Sequence, residues 1–330
     1  MASIKDIAKE LGIGVSTVSM ALNGNKRISE KTRKLVEDTA KKMNYVKNGT
    51  AVDLQRKSTN TILLVVEDAG RRFFSKFISE FQKYISQFNY DLLIATTYKG
   101  NTATALRYIS EKRVDGVVVF TNTVSDDILI RYSAQSFPII AINRELSGEN
   151  LYSVLIDNRD GGRKITNYLI ENGHKKIAFI KGSSKTIGSR LRYEGFKDSI
   201  NSHKIAEQCV LIDANETTEE AGYTATLDLI RKEFDVEAIF YSSDDMAVGG
   251  ITALNEYKIN IPGDISIVGY NDSELSKYTK PALTTVKTEI DMAVEAGKIL
   301  IKALKKEPIE EKIIRVDTTI VVRDSVKRRD

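Results

Sequence analysis

Residues able to carry covalent chemistry are few in this chain. His174, His203 and Cys209 are too few for the His/Cys sets that hold a structural or catalytic zinc. No Gly-x-Ser-x-Gly elbow occurs, and no Gly-x-x-x-x-Gly-Lys-Ser/Thr loop. Gly12 and Gly14 lack the third glycine of a dinucleotide loop and precede any predicted strand. No metal and no cofactor is therefore expected, and an enzyme is the weaker reading. The single cysteine, Cys209, cannot form an internal disulfide, which suits a reducing cytoplasm. It reads as a small core hydrophobe.

The chemistry that remains is recognition. Residues 1–60 hold twelve Lys plus Arg against six Asp plus Glu, an excess of +6. Residues 61–330 hold 37 against 39, so the net +4 of the 330-residue chain arises entirely in its first fifth. Such a basic unit suits a polyanion, most simply DNA, although a merely solvated basic surface fits the charge alone. Three short helices fit here. Ser3 and Asp6 form a capping-box pattern opening Ile4–Leu11. Gly12-Ile13-Gly14 breaks that helix, Val15–Leu22 follows up to Asn23-Gly24, and Ser29 can cap a third from Glu30 to about Asn44. Ile7, Ala8, Leu11, Val18, Leu22, Leu35, Val36 and Ala40 recur at helical spacing and would make a very small core.

From Thr61 the pattern alternates. Strands are expected at 62–66, 92–96, 116–120, 139–142, 154–156, 177–181, 210–212, 238–241 and 265–269, and the tail 313–322 returns to strand character. Helices fit 73–88, 103–112, 159–172, 189–202, 219–232 and 246–257. Repeated β-α units imply Rossmann-like parallel sheets covered by helices, and this many strands suits two lobes better than one sheet. Such sheets bind ligands at the carboxyl ends of their strands. Ser243 and Asp244 follow a predicted strand end and should face the cleft, unless Asp244 merely caps the helix beginning near Met246. Phe73 and Phe74 open the first helix of this region and could stack on a ring, or belong to the core as Phe77 and Phe81 are expected to.

The first 54 residues resemble the lac-repressor (LacI/GalR) family. The resemblance is carried by Ile4-Lys5-Asp6-Ile7-Ala8, Gly12, Thr17-Val18-Ser19, Leu22-Asn23-Gly24, Ile28-Ser29, Thr32-Arg33, Val36, Asn44-Tyr45, Asn48, Ala51 and Leu54. Later blocks resemble the same family: Gly173-His174-Lys175-Lys176-Ile177-Ala178-Phe179-Ile180, Asp244–Gly249, Val268–Asp272 and Pro281–Val286. Blocks in this order are far more specific than a helix-turn-helix pattern alone. The resemblance implies a small all-α helix-turn-helix head and an α/β two-lobed periplasmic-binding-protein-like domain. It implies a DNA-binding domain over 1–45 and a hinge over 46–60. An effector-binding and dimerisation domain follows over 61–330, with lobe 1 about 61–156 plus 287–315 and lobe 2 about 157–286 plus 316–330.

The function so implied is a transcription regulator, a repressor by resemblance, that binds a pseudo-palindromic double-stranded operator as a homodimer. Its effector is a small molecule, a carbohydrate by resemblance. Val15, Ser16, Thr17, Ser19, Met20, Asn23 and Asn48 match the DNA-contacting positions, and Leu54 matches the leucine wedged into the minor groove. Arg192 matches the family's effector-gripping arginine, and Asn143 and Asn271 stand where an aspartate is frequent. Arg192 could instead only pair with a glutamate on its own helix. Met20 stands where arginine is common, Gly14 where a capping serine is usual, Lys47 for a proline and Val52 for an arginine, with Asp53 beside it. These departures bear on operator sequence and affinity. A transport-type sugar-binding protein is the alternative, disfavoured by the basic head and by Lys5, Asp6, Lys9 and Glu10 where an export signal needs an apolar run. No apolar run approaches the ~20 residues that span a bilayer, and no leucine heptads follow Val326, so a dimer is the simpler expectation.

Overall fold

The computed structural model describes residues 2–46, 58–70, 72–184, 186–288 and 292–329, excepting the side chains of Arg72, Phe73 and Thr288. Asn48 and Leu54, with Lys47, Val52 and Asp53, lie outside the described residues. The chain divides into two units, Met1–Thr59 and Asn60–Asp330.

The first unit holds α1 (Ile4–Leu11), α2 (Val15–Leu22) and α3 (Glu30–Lys42). Ser3 Oγ accepts from Asp6 N at 3.4 Å while the Asp6 carboxylate accepts from Ser3 N at 2.8 Å, so the capping box forms in full. Gly12 ends α1 at φ 63°, a left-handed conformation that costs glycine little. Ile7, Ala8, Val18, Ala21, Val36 and Ala40 make the core, with Leu11 and Leu22 only partly buried around it. Leu35 does not join it and is exposed. On α3, Val36, Thr39 and Ala40 occupy the inward stripe, and a residue one position off it swings outward. The helix also stops at Lys42, short of the expected Asn44, which takes a left-handed φ of 49°.

The second unit is built on two parallel sheets. The larger holds β1 (Thr61–Val66), β2 (Asp91–Thr96), β3 (Gly116–Phe120), β4 (Ile139–Ile142), β5 (Leu151–Ile156) and β11 (Ile313–Val316), in the order β11-β5-β4-β3-β1-β2. In β1, Ile62, Leu64 and Val66 pack on one face and Leu63 and Val65 on the other. Both faces are covered, so the strand reads as an unbroken apolar run. Helix α4 (Arg72–Ser86) and α11 (Met292–Leu304) cover the first face; α5 (Ala103–Ser110) and α6 (Asp126–Ser133) cover the second. The smaller sheet holds β6 (Ile177–Lys181), β7 (Val210–Asp213), β8 (Ala238–Tyr241) and β9 (Ser266–Val268), in the order β7-β6-β8-β9. It lies between α7 (Asn158–Glu171) with α8 (Ile187–Ser202) and α9 (Glu219–Arg231) with α10 (Asp244–Glu256). Strands β10 (Thr285–Thr288) and β12 (Thr318–Val321) form a separate antiparallel pair.

The expected list lacks α6, β10 and α11, and the tail expected as one stretch of strand is two strands in different sheets. Periodicity marks where a face repeats, but only packing shows that the chain leaves one sheet at Val316 and joins another pair at Thr318. The chain thus leaves the larger sheet after β5, returns to it with β11, and leaves it again for β12. Among the described residues no helix is long and apolar enough to cross a membrane.

Candidate functional site

The carboxyl ends of the strands in both sheets open on one cavity of about 180 Å³. Glu67 follows β1, Thr121 and Asn122 follow β3, and Asn143 follows β4; Ser242 and Ser243 follow β8, and Asn271 follows the end of β9. A parallel sheet delivers side chains this way because each strand turns into its helix at the same edge. Phe74 on α4 adds an apolar wall, edge-to-face on Phe120 with ring centres 5.1 Å apart. A larger depression of about 380 Å³ between α5 and α6 lies away from the strand ends.

Arg192 reaches this cavity from α8 and is 8% exposed. Its Nε donates to Asn158 Oδ1 at 2.8 Å, Nη1 to Ser242 O at 2.6 Å and Nη2 to Asn271 Oδ1 at 3.1 Å. The guanidinium lies 3.8 Å from the ring centre of Tyr270. All three acceptors are neutral, and burial pushes the arginine below its ordinary pKa. It does not pair on its own helix; Glu194 is met by Arg190, at 3.9 Å. What sets Arg192 in place is the close contact of α7 and α8. A Cβ at Gly195 would come within 2.0 Å of Arg159 O, and one at Gly162 within 2.3 Å of Arg192 O. Only bare backbone lets the two helices approach this far.

Asn143 and Asn271 carry the chain through positive φ, 54° and 106°. Such conformations are held only when the surroundings over-determine them. Asn143 Oδ1 accepts from Ile156 N at 3.1 Å, and Asn271 Oδ1 serves Arg192, so each carboxamide NH₂ is the group left for a ligand.

Ser243 caps α10, accepting from Met246 N at 3.3 Å, and lines the cavity. Asp244 departs from its expected place. Its carboxyl turns into the lobe, accepting from Thr285 Oγ1 and Ser273 N, both at 2.6 Å. Burial pushes its pKa up to about 7. Asp245, one residue on, lines the cavity instead. One step along a helix rotates a side chain by roughly 100°, and the alternating reading from the strand end does not carry into the helix. Asp244 is the first residue of α10, not its cap. Phe74 lines the cavity and also belongs to the buried core cluster that holds Phe77 and Phe81; the Phe73 side chain lies outside the described residues.

Residues missed in the sequence fall into two groups. Glu67, Thr121 and Ser242 each directly follow a predicted strand, and the strand-end rule would have found them. Ser189, buried on the first turn of α8, and Asn158, buried at the start of α7, carry no local signal.

In the head, α2 presents Val15 and Ser16 exposed at its start, with Thr17, Ser19 and Met20 half-buried and Asn23 exposed beyond its end. Val18 and Ala21 hold the opposite face in the core. Gly14 precedes the helix without a side-chain cap.

Residues 3–48 match the family described as "Bacterial regulatory proteins, lacI family", and residues 166–326 match a "Periplasmic binding protein-like domain". The chain is 30% identical over 333 residues to the HTH-type transcriptional repressor PurR of Actinobacillus pleuropneumoniae serotype 3 (strain JL03), covering 99% of each. Among solved structures, the lac repressor dimer bound to operator and the anti-inducer ONPF shares the fold at a TM-score of 0.84, with 22% identity over 99% of each chain. A sugar-binding transcriptional regulator of the LacI family from Escherichia coli, complexed with phosphate, is 27% identical with a TM-score of 0.70, over 82% of this chain and 100% of that one.

Proposed function

Because the chain belongs to the LacI family of bacterial regulatory proteins, we propose that it is a sequence-specific, DNA-binding transcriptional repressor whose operator affinity is set by a small molecule bound between its two lobes. The observation that carries this is the pairing of a compact basic head with a polar cavity at the strand ends of both sheets. Residues 1–45 bind DNA, 46–60 connect, and 61–330 sense the effector and dimerise. The protein acts in the cytoplasm and catalyses no reaction. Its effector is a sugar or sugar derivative, in keeping with a cavity walled by serine, threonine, asparagine and carboxylate groups.

Val15, Ser16, Thr17, Ser19, Met20 and Asn23 read the major groove, with Asn48 and Leu54 in the connecting segment. Phe74, Asn143, Arg192, Ser243 and Asn271 contact the effector, and by the sequence reading Phe73 does too; Asp244 acts from behind the wall. A single recognition helix reads too few bases for useful specificity, so a homodimer on two half-sites is required.

Selection of binding sites from random DNA by the full chain tests the reading. It should return a pseudo-palindrome. Met20 has no donor for guanine O6 and N7, a contact worth about 1–3 kcal/mol of discrimination when arginine makes it. The half-site should therefore lack a strict guanine opposite Met20. Arg192→Ala should abolish the effector response and leave operator affinity nearly unchanged. Failure to enrich any site, with sugar binding intact, would instead make the chain a sugar-binding protein without regulatory DNA binding.

A further inference from the structure

We propose that residues Ser325–Arg329 form a proton-sensitive clasp across the base of the smaller sheet, closed while the His174 ring is neutral and released when that ring takes up a second proton. The proposal goes beyond the regulatory reading and does not rest on it. The clasp lies against loops at the amino ends of the strands, whereas the cavity lies at their carboxyl ends.

The segment joins the loops that lead into β6, β8 and β9. It is first paired with β9, where Ile267 N donates to Ser325 O at 2.8 Å and Ser325 Oγ donates to Ile267 O at 2.7 Å. Arg329 N donates to Asn172 O at 2.8 Å, ahead of β6, and Arg329 Nη2 to Asp264 O at 2.6 Å, ahead of β9. Arg329 Nη1 lies 3.7 Å from the Glu237 carboxylate, ahead of β8. Lys327 Nζ donates to Gly263 O. A Cβ at Gly173 would come within 2.3 Å of Arg329 O, so the segment rests on bare backbone there.

The lock is a relay of three groups. Lys327 N donates to Ser266 Oγ at 3.1 Å, and that hydroxyl lies 2.8 Å from Nε2 of His174. His174 and Ser266 are both fully buried. His174 Nδ1 lies 2.9 Å from Leu169 O. A carbonyl only accepts, so Nδ1 carries the proton of the neutral ring, Nε2 is bare, and Ser266 donates to it. The serine oxygen then accepts from Lys327. A second ring proton reverses the relay: Nε2 becomes a donor, and the Ser266 hydrogen must turn away. Among the described residues Ser266 Oγ has no hydrogen-bond partner other than His174 and Lys327, so that hydrogen is stranded in a buried place.

The surrounding charges act in the same direction. Lys327 and Arg329 face the ring from the segment, and Glu237 faces it from the loop before β8. Glu237 is already engaged, accepting from Lys175 N at 2.7 Å and Lys176 N at 3.1 Å. Lys176 pairs with Asp235, and the Asp264 carboxylate accepts from Asn260 N at 2.8 Å. Burial above all, with the two cations, holds His174 below its ordinary pKa of 6.5. Lifting the segment admits water, removes both cations and returns the ring toward its ordinary value. The closed form is therefore favoured above that value and loses its advantage as pH falls below it.

Hydrogen exchange on the full-length chain, read as protection factors, tests the clasp. Protection over 325–329 should fall about tenfold between pH 7.5 and pH 5, the scale of a histidine released toward its ordinary pKa, while β6 and β8 keep theirs. The chain has two histidines, and His203→Gln, at an exposed position, assigns their nitrogen-15 signals. His174 should carry its proton on Nδ1 at pH 7.5 and titrate with the midpoint of the exchange. His174→Asn keeps a donor for Leu169 O and cannot titrate, so its protection should not change with pH. Ser266→Ala removes the acceptor for Lys327 N and should loosen the segment equally at both pH values. A segment that stays protected down to pH 5, a ring proton on Nε2 at pH 7.5, or the same pH-dependent loss in folded His174→Asn protein would each overturn the proposal. If His174→Asn does not fold, the unsubstituted chain decides: coincident midpoints support the clasp, and separate midpoints overturn it.

Discussion

Helices α8 and α10 begin at the same cavity and treat their free ends in opposite ways. Helix α10 is closed by its own sequence. Ser243 caps it, and Asp244 and Asp245 bring two carboxyls into its first turn. Helix α8 offers glycine, serine and isoleucine, with no side-chain cap. The end of α10 is closed by its own side chains; the end of α8 has no side-chain cap. Both helices are seated by the same device, since a Cβ at Gly249 would come within 1.9 Å of Glu219 O just as one at Gly195 would press on Arg159 O. The scaffold is shared, and the difference lies only in what fills each end.

The largest expected effect tests the shared scaffold. Gly195→Ala and Gly249→Ala should each cost about 3 kcal/mol, because overpacking against backbone forces the paired helices apart. Chemical denaturation would show both losses. Gly195→Ala should also impair ligand binding through Arg192, and more than Gly249→Ala impairs it through Ser243. Equal impairment by Gly249→Ala would mean that the two ends are not separate.

Asp244 comes next. Its folded pKa, about 7, stands above the ordinary 3.8. The native protein therefore holds this proton while the unfolded chain has already released it. Stability is lost as pH rises from about 4 to 7, and is flat above that. Asp244→Asn should gain on the parent by about 3 kcal/mol between pH 5 and pH 8. An advantage that shrinks with rising pH would show that Asp244 is ionised and stabilising.

Capping separates the two ends more gently. Ser243→Ala removes the acceptor for Met246 N and should cost about 1 kcal/mol. Thr186→Ala removes no cap bond and should cost clearly less; equal losses would break the contrast. Smallest is Asp245→Asn, expected to cost about 0.5 kcal/mol through the helix dipole, a difference that salt should erase.

Much of this was legible beforehand, for physical reasons that differ by region. In the head, Ser3 with Asp6, Gly12 and Ser29 act on neighbours three or four residues away, so the helix starts and the first helix's end can be read locally. In the lobes, unbroken apolar runs mark strands covered on both faces, and the strand-end rule points to Ser243, which lines the cavity, and to Asp244, which turns away from it; Asn143 and Asn271 are reached only through the family resemblance. Leu35 shows the limit, being apolar and at the right spacing for a helix but on the wrong side of it.

The sequence by itself determined most of the elements and their β-α alternation, because short-range sterics, capping and periodicity act along the chain, and its resemblance to a family supplied most of the candidate residues. Only the tertiary structure decided what those residues do together. Arg192 meets partners 34, 50 and 79 positions away, and no periodicity encodes such a meeting. Nor could the sequence show that Asp244 turns inward while Asp245 faces the cavity, or that Ser189 is buried without a partner. Those facts follow from how helices with bare glycine contacts rotate and seat against the sheet, and that seating depends on both surfaces at once.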